Sequence, residues 1–154
     1  MWPCSFALEP KVCPRLIHDA RRNVTLRSLR NRHGRDFPDG KISAEFEIID
    51  GLWNGSNIMY YANGKIRKQA MEDYDQTEGP YKYFHSNGQV ELDYNFLHDN
   101  LHGNSKVYNE KGILTLECYY YNGLAHGVCK TYDDTGKLRD TRIYYYGDLI
   151  EIKK

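Results

Sequence analysis

Polar and apolar residues alternate along most of the chain after residue 36. In the segment 42–48, Ile, Ala, Phe and Ile occupy every second position, and Ser and two Glu lie between them. Leu92, Tyr94 and Phe96 repeat this spacing further along. Because successive side chains of a β-strand point to opposite faces, a period of two predicts strands with one apolar face. No segment after residue 36 has a helical period, so the pattern predicts an all-β fold.

The glycines show that these strands belong to a repeat. The chain has 13 glycines, and 12 of them fall on three positions of a 24-residue period. The first series is Gly40, Gly64, Gly88, Gly112 and Gly136; the second is Gly55, Gly79, Gly103 and Gly127; the third is Gly51, Gly123 and Gly147, with Asp75 and Asp99 in its two gaps. A fixed period of this length is typical of a repeat protein, here with about five units.

Each unit is predicted to be a β-hairpin. Asp39-Gly40, Asn63-Gly64 and Asn87-Gly88 favour two-residue type I′ turns, because Asn or Asp followed by Gly accepts two positive φ angles. Lys111-Gly112 and Thr135-Gly136 keep only the glycine and predict turns with a G1 bulge. Loops at 50–55, 74–79, 98–103 and 122–127 then reverse the chain. The sequence therefore predicts an up-and-down antiparallel meander of about ten strands.

Charged residues support one register for this meander. Pairing across the predicted turns places Lys82 opposite Asp93, and Lys106 opposite Glu117, so that opposite charges meet at equivalent places in two units. Such cross-strand pairs favour the register that brings them together. Exposed pairs contribute only about 0–1 kcal/mol, so they indicate register more than stability.

The net charge of zero divides into a basic head and an acidic array. Residues 1–35 contain 8 Lys and Arg against 2 Asp and Glu, whereas residues 36–154 contain 13 against 19. We interpret 1–35 as a non-repeat head, either flexible or with a short helix from about Leu16, and 36–154 as the repeat array. A non-native upstream extension, a targeting segment, an arm for an acidic partner and contact with anionic membrane stay open for the head. The acidic array argues against nucleic acid as its partner.

Candidate catalytic and metal-binding residues form no convincing site. His102 and His126 occupy equivalent repeat positions, about 10 Å apart by strand spacing, which is too far for two ligands of one metal. No nucleotide-binding or nucleophile motif occurs, so we expect neither a cofactor nor an enzyme. Cys118 and Cys129 either fill ordinary strand positions or form a disulfide. No apolar run is long enough to span a membrane, and we expect a cytoplasmic protein.

Tyrosine is the residue type that most strongly indicates binding. The chain has 14 tyrosines, and six of them form two runs in the last two units: Tyr119, Tyr120 and Tyr121, then Tyr144, Tyr145 and Tyr146. Three consecutive rings place aromatic side chains on both faces of a strand. A sheet one layer thick cannot bury both faces, and exposed tyrosine patches are typical of protein-binding surfaces. These six residues are the candidate partner-binding site.

The segments "YYANGKI", "FHSNGQVE", "ECYYYNGLAHG" and "YDDTGKL" resemble the MORN-repeat variant family over about residues 36–150. Departures from the family pattern are Gln69, Asp75, Asp99 and Thr141. The resemblance implies an elongated, twisted single sheet with a groove. Many bacterial members are antitoxin-like or toxin-immunity proteins, and others are protein-interaction or membrane-tethering scaffolds.

The first hypothesis is therefore a protein-binding repeat module, of the antitoxin or immunity type, that occludes a basic toxin or effector. Complementary charge would speed that encounter. The alternative is a structural scaffold or membrane-tethering protein. The last strand is apolar and lacks a polar cap, which predicts a homodimer through the C-terminal unit around residues 144–152.

Overall fold

The computed structural model describes residues 31–153, with side chains from His33 onward, and these residues contain strands and turns but no helix. The strands are β1 (Asn31–Asp36), β2 (Ile42–Ile49), β3 (Leu52–Tyr60), β4 (Ile66–Asp73), β5 (Gln76–Thr77), β6 (Gly79–Phe84), β7 (Val90–Leu97), β8 (Asn100–Leu101), β9 (Gly103–Tyr108), β10 (Leu114–Tyr121), β11 (Leu124–Tyr132), β12 (Leu138–Tyr145) and β13 (Asp148–Lys153).

All of these strands belong to one antiparallel sheet in meander order. The path runs β1-β2-β3-β4-β6-β7-β9-β10-β11-β12-β13, while the two-residue strands β5 and β8 pair with β4 and β7. The predicted all-β, single-sheet meander of hairpin repeats is thus confirmed. Within the described residues the sheet extends back to Asn31, five residues before the predicted start of the array. The predicted helix from about Leu16 lies outside the described residues.

The turns of the first glycine series differ from the predicted type. In the third hairpin, the N–H of His85 donates to the carbonyl of Gln89 (2.8 Å), and the N–H of Gly88 donates to the carbonyl of His85 (2.8 Å). Within 85–89 only Gly88 has a positive φ, of 95°. This is a three-residue turn with a G1 bulge, and the register shifts between Tyr83 and Phe84 to accommodate it.

The same hydrogen bonds close all five hairpins of this series. The prediction of a G1 bulge is confirmed at Gly112 and Gly136, and the prediction of type I′ turns at Gly40, Gly64 and Gly88 is wrong. The asparagine side chain explains the difference. Asn87 accepts a hydrogen bond from the N–H of Gln89 (2.9 Å) and donates one to the carbonyl of Glu110 in the next turn (2.7 Å). Asparagine therefore serves the contact between units and does not need a positive φ.

Type I′ turns occur instead at the other end of the strands, at the third glycine series. Two consecutive positive φ angles are found at Asp50-Gly51, Tyr74-Asp75, His98-Asp99, Asn122-Gly123 and Tyr146-Gly147. The predicted loops 50–55, 74–79, 98–103 and 122–127 are therefore wrong in length, because each begins with a two-residue turn and then re-enters the sheet. The second series, Gly55, Gly79, Gly103 and Gly127, also has positive φ and lies where the strands bulge.

One face of the sheet, which we call the packed face, carries the most buried side chains. Asn57, Ala70, Ser105, Cys118 and Cys129 are each at most 3% exposed. They are small, so larger neighbours cover them without a second layer. The rings of Tyr81 and Tyr94 stack at 6.5 Å in the same row, and burial raises the pKa of both phenols. Cys118 and Cys129 lie opposite each other in β10 and β11 and form a disulfide.

Candidate functional site

The six candidate tyrosines divide between the two faces of the sheet. Tyr120 pairs with Gly103 and Tyr144 pairs with Gly127, which places both tyrosines on the packed face with Cys118. Because side chains alternate along a strand, Tyr119, Tyr121 and Tyr145 lie on the opposite face, which we call the outer face. Tyr146 occupies the turn between β12 and β13 with a φ of 47°. The structure therefore does not bring all six candidates into one surface.

Tyr144 takes part in a polar contact on the packed face. The guanidinium of Arg142 binds the carboxylate of Asp140, with Nε–Oδ1 and Nη2–Oδ2 distances of 3.1 and 3.2 Å. Hydrogen bonds with Tyr144 and then Asp140 raise the pKa of Arg142. A phenol held beside a charged pair has a role within the sheet, so Tyr144 is a weaker candidate for partner binding than Tyr145.

On the outer face, rings from the last two hairpins gather around His126. Its ring centroid lies 4.6 Å from that of Tyr146, 5.5 Å from Tyr145 and 6.3 Å from Tyr121. Tyr121 also contacts Tyr146 edge-on at 5.8 Å and His102 at 5.2 Å. Tilted and edge-on geometries within 4.5–7 Å are favourable for aromatic pairs. The cluster is therefore held together by its own ring contacts.

The cluster is exposed and continues into neighbouring apolar side chains. Tyr145 is 60% exposed and Tyr146 is 48% exposed. Val128, at 47%, lies on the same face because its neighbour Cys129 is on the packed face, and Leu124, at 47%, pairs directly with Tyr121. We define the outer patch as Tyr119, Tyr121, Leu124, Val128, Tyr145 and Tyr146. An exposed apolar patch of this kind usually marks an interaction site.

Two members of the outer patch, Leu124 and Val128, and the adjacent His126 were not among the predicted site residues. The alternation of side chains along β11 could have identified the first two, since Leu124 and Val128 are four residues apart and so share a face. In the sequence, His126 stands out only as the repeat equivalent of His102, at a spacing that excludes a shared metal ion. Its role among the rings depends on the bulge at Gly127 and on the neighbouring hairpin, and neither feature is visible in a local pattern.

A second surface feature lies in the first hairpins. An open groove of about 480 Å³ is lined by nine residues: Glu47, Ile49, Asn54, Gly55, Ser56, Met71, Glu72, Asp73 and Glu78. Four of these nine are carboxylates, so the groove is acidic. The Glu72 carboxylate accepts hydrogen bonds from Asn57 (3.0 Å) and Thr77 (3.2 Å), and Glu78 accepts one from the N–H of His98 (2.8 Å). These bonds hold the carboxylates in place.

The outer face also carries the predicted charge pairs. Lys82 lies opposite Asp93 with an N–O distance of 3.7 Å, and Lys106 lies opposite Glu117 at 3.6 Å. The predicted register is confirmed. Within residues 31–153 no group of three or more His, Cys, Asp or Glu could hold a metal ion, and no helix is long and apolar enough to cross a membrane.

Comparison with known proteins identifies similarity to one repeat family. The sequence model described as the MORN repeat variant matches residues 53–71, 77–98 and 125–146. Each matched stretch contains one turn of the first glycine series, at Gly64, Gly88 or Gly136, together with strand residues on both sides. The expected resemblance is thus supported at three units, which together span less than half of the chain. No curated protein matches the chain.

Proposed function

We propose that this protein is a protein-binding repeat module and that the outer patch is its binding surface. The observation that carries the proposal is the exposed ring cluster around His126, built from two adjacent hairpins. Tyrosine supplies a large contact area and a polar hydroxyl at its tip, which is why it is enriched at protein interfaces. Similarity to a repeat family agrees with a binding role.

The more specific proposal is an inhibitor of the antitoxin or immunity type, which occludes a basic effector protein. The surplus of acidic residues in 36–154 and the four carboxylates of the groove favour a partner with a positive surface. Charge complementarity of this kind mainly accelerates association, while buried aromatic anchors slow dissociation. In this mechanism the patch supplies the anchors and the acidic surface guides the encounter.

A structural scaffold or membrane-tethering protein is the second candidate. It is favoured by the basic composition of residues 1–35, since Lys and Arg near an anionic membrane gain about 1 kcal/mol each. Co-sedimentation with phosphatidylserine vesicles separates the two candidates, because only the second requires vesicle binding. That the chain is not an enzyme, binds no cofactor or nucleic acid and lies in the cytoplasm are further predictions of the first candidate.

The binding surface is tested with a matched pair of tyrosine variants. Tyr146 and Tyr74 occupy equivalent positions of two type I′ turns, both with a φ of 47°, and both are exposed, at 48% and 57%. Asn122 occupies the same position in a third turn with a φ of 48°, so Asn is tolerated there. Tyr146→Asn removes a ring from the patch, whereas Tyr74→Asn removes one from outside it.

The full-length protein, bound to resin, is used to capture partners from lysate of the source cells. We expect a captured protein whose yield falls at least tenfold with Tyr146→Asn and is unchanged with Tyr74→Asn; a loss of about 1.4 kcal/mol corresponds to a tenfold change. Circular dichroism and thermal unfolding confirm that both variants fold. Equal capture by the two variants would assign binding to another surface.

A further inference from the structure

Within residues 31–153, strand β13 forms one end of the sheet and its side chains are exposed. It pairs with β12 on one side, and within residues 31–153 no strand covers its other side. All six of its residues are exposed, including Leu149 at 48%, Ile150 at 63% and Ile152 at 50%. An edge strand with apolar side chains readily pairs with another strand. The edge of β13 therefore has both the backbone and the side chains that strand pairing needs.

The backbone groups of Ile152 point toward this open edge. Cys118 and Cys129 have a Cα–Cα distance of 4.0 Å, which identifies them as a non-hydrogen-bonded pair. Along the same row, Cys129 lies opposite Arg142, and Arg142 lies opposite Ile152. Hydrogen-bonded and non-hydrogen-bonded pairs alternate from strand to strand along such a row. The backbone of Arg142 is therefore hydrogen-bonded to the backbone of Cys129 and not to that of Ile152. The N–H and C=O of Ile152 are thus directed away from β12.

A bulge in β13 makes the strand complementary to itself. Leu149 lies opposite Tyr144 and Ile152 opposite Arg142, and the register shifts between these pairs. Because Tyr144 and Arg142 share the packed face, so do Leu149 and Ile152, although they are three residues apart. By the same register, Asp148 at the start of the strand and Lys153 at its end share the outer face. The strand therefore has opposite charges at its two ends on one face, and Glu151, opposite Ile143 on the same face, forms an exposed ion pair with Lys153 (3.4 Å).

We propose that β13 pairs antiparallel with β13 of a second copy of this chain. This pairing places Asp148 of one copy opposite Lys153 of the other, and Leu149 opposite Ile152, and two-fold symmetry forms each contact twice. Parallel pairing would place Asp148 opposite Asp148. End-to-end stacking without rotation is also disfavoured. Within residues 31–153 the main path has eleven strands, so β1 and β13 run in the same direction and would pair in parallel, which is slightly less stable per residue.

The dimer has a consequence for the outer patch. The two-fold axis of an antiparallel strand pair is perpendicular to the sheet, so both copies show the same face on the same side. The outer patch lies in the two hairpins next to β13. Pairing through β13 brings two patches together on one continuous sheet. The surface formed in this way suits a two-fold symmetric partner or two copies of one partner.

The pairing is tested by sedimentation equilibrium on the full chain at concentrations from about 1 µM to about 200 µM, so that a dimer with a Kd inside this range changes from mostly monomer to mostly dimer. We expect a mass that rises toward twice 18.1 kDa. Asp148→Lys and Lys153→Asp each turn two attractive contacts into repulsive ones and should weaken the dimer about tenfold. The double variant exchanges the two charges and should restore it.

Lys111→Asp, a charge change at an exposed residue in the turn between β9 and β10, is the matched control and should leave the mass unchanged. Ile150→Lys should give a monomer, and circular dichroism checks that this variant remains folded. A monomer of 18.1 kDa for the wild type at all concentrations would overturn the proposal. So would a dimer in which the double variant is as weak as either single variant, because rescue is specific to the antiparallel pairing of Asp148 with Lys153.

Discussion

Asp99 connects two neighbouring units, and its side-chain hydrogen bond and its backbone conformation can be tested separately. It stands where three other units have glycine, with a φ of 63°, and its carboxylate accepts a hydrogen bond from the N–H of Thr77 (2.7 Å). Its own N–H donates to the carbonyl of Thr77 (3.1 Å). The side chain therefore provides a charged acceptor for the preceding unit, and the backbone adopts a conformation that most residues resist.

Three substitutions at this position should lower the free energy of unfolding by different amounts. Asp99→Asn keeps the acceptor oxygen and tolerates the positive φ, so it should cost about 0.5 kcal/mol. Asp99→Gly keeps the conformation but loses the charged hydrogen bond, which costs about 1.5 kcal/mol. Asp99→Ala loses that bond and also adds about 1 kcal/mol for a side chain at positive φ, giving about 2.5 kcal/mol.

The assay is urea unfolding, followed by circular dichroism, of the wild type and the three Asp99 variants. Asp134→Ala is the control, at an exposed aspartate in the turn between β11 and β12. The control should change the free energy of unfolding by less than about 0.5 kcal/mol. The reasoning fails if the Ala and Gly variants are equally stable, since the positive φ would then cost nothing. It also fails if Asn is as damaging as Ala, since the hydrogen bond would then contribute nothing.

Three further predictions concern other positions. Gly88→Val should destabilise the protein by more than about 1 kcal/mol, because a β-branched residue resists the φ of 95°; unchanged thermal unfolding would contradict the turn. A double-mutant cycle on Lys82 and Asp93 with alanine should give a coupling of about 0.2–1 kcal/mol that decreases in 1 M salt, and a coupling of zero at low salt would show that the pair marks register only. Hydrogen bonds from Thr135 and Lys137 hold the pKa of Asp133 below its ordinary 3.8. The ionised carboxylate therefore stabilises the fold above the unfolded-state pKa, and this stabilisation is lost as the pH falls through the folded-state pKa. Asp133→Asn should remove this part of the acid sensitivity, and identical acid unfolding of the variant and the wild type would contradict it.

The sequence predicted the parts of the fold that depend on periodicity. Alternation identified the strands, and the 24-residue spacing of glycine identified the units and the register of Lys82 with Asp93. Turn type was not predictable in the same way. Asn-Gly suits a type I′ turn in isolation, but Asn87 bonds to the carbonyl of Glu110 in the neighbouring unit, a tertiary contact that local propensity does not contain. Conversely, Tyr74-Asp75 forms a type I′ turn without a glycine, because the Asp75 carboxylate accepts a hydrogen bond from the N–H of Trp53 (2.7 Å).

The candidate site was predictable only in part, for a related reason. A tyrosine run indicates that rings lie on both faces, but the assignment of each ring to a face depends on register. Tyr120 and Tyr144 proved to share the packed face with the buried cysteines, whereas Tyr121 and Tyr145 belong to the outer patch. His126 joins the patch through contacts with the adjacent hairpin. Such contacts connect residues about one repeat apart, beyond the reach of a local pattern.

Photocrosslinking from defined positions tests most directly whether the outer patch is the binding surface. A benzophenone amino acid replaces either Val128 in the patch or Ile42 at the far end of the sheet. The two side chains are similarly exposed, at 47% for Val128 and 51% for Ile42. Each full-length protein is irradiated in lysate of the source cells, and crosslinked products are separated by mass. We expect a discrete adduct from position 128 that disappears when Tyr146→Asn is added, and no such adduct from position 42. The same adduct from both positions, or one that is insensitive to Tyr146→Asn, would contradict binding through the outer patch.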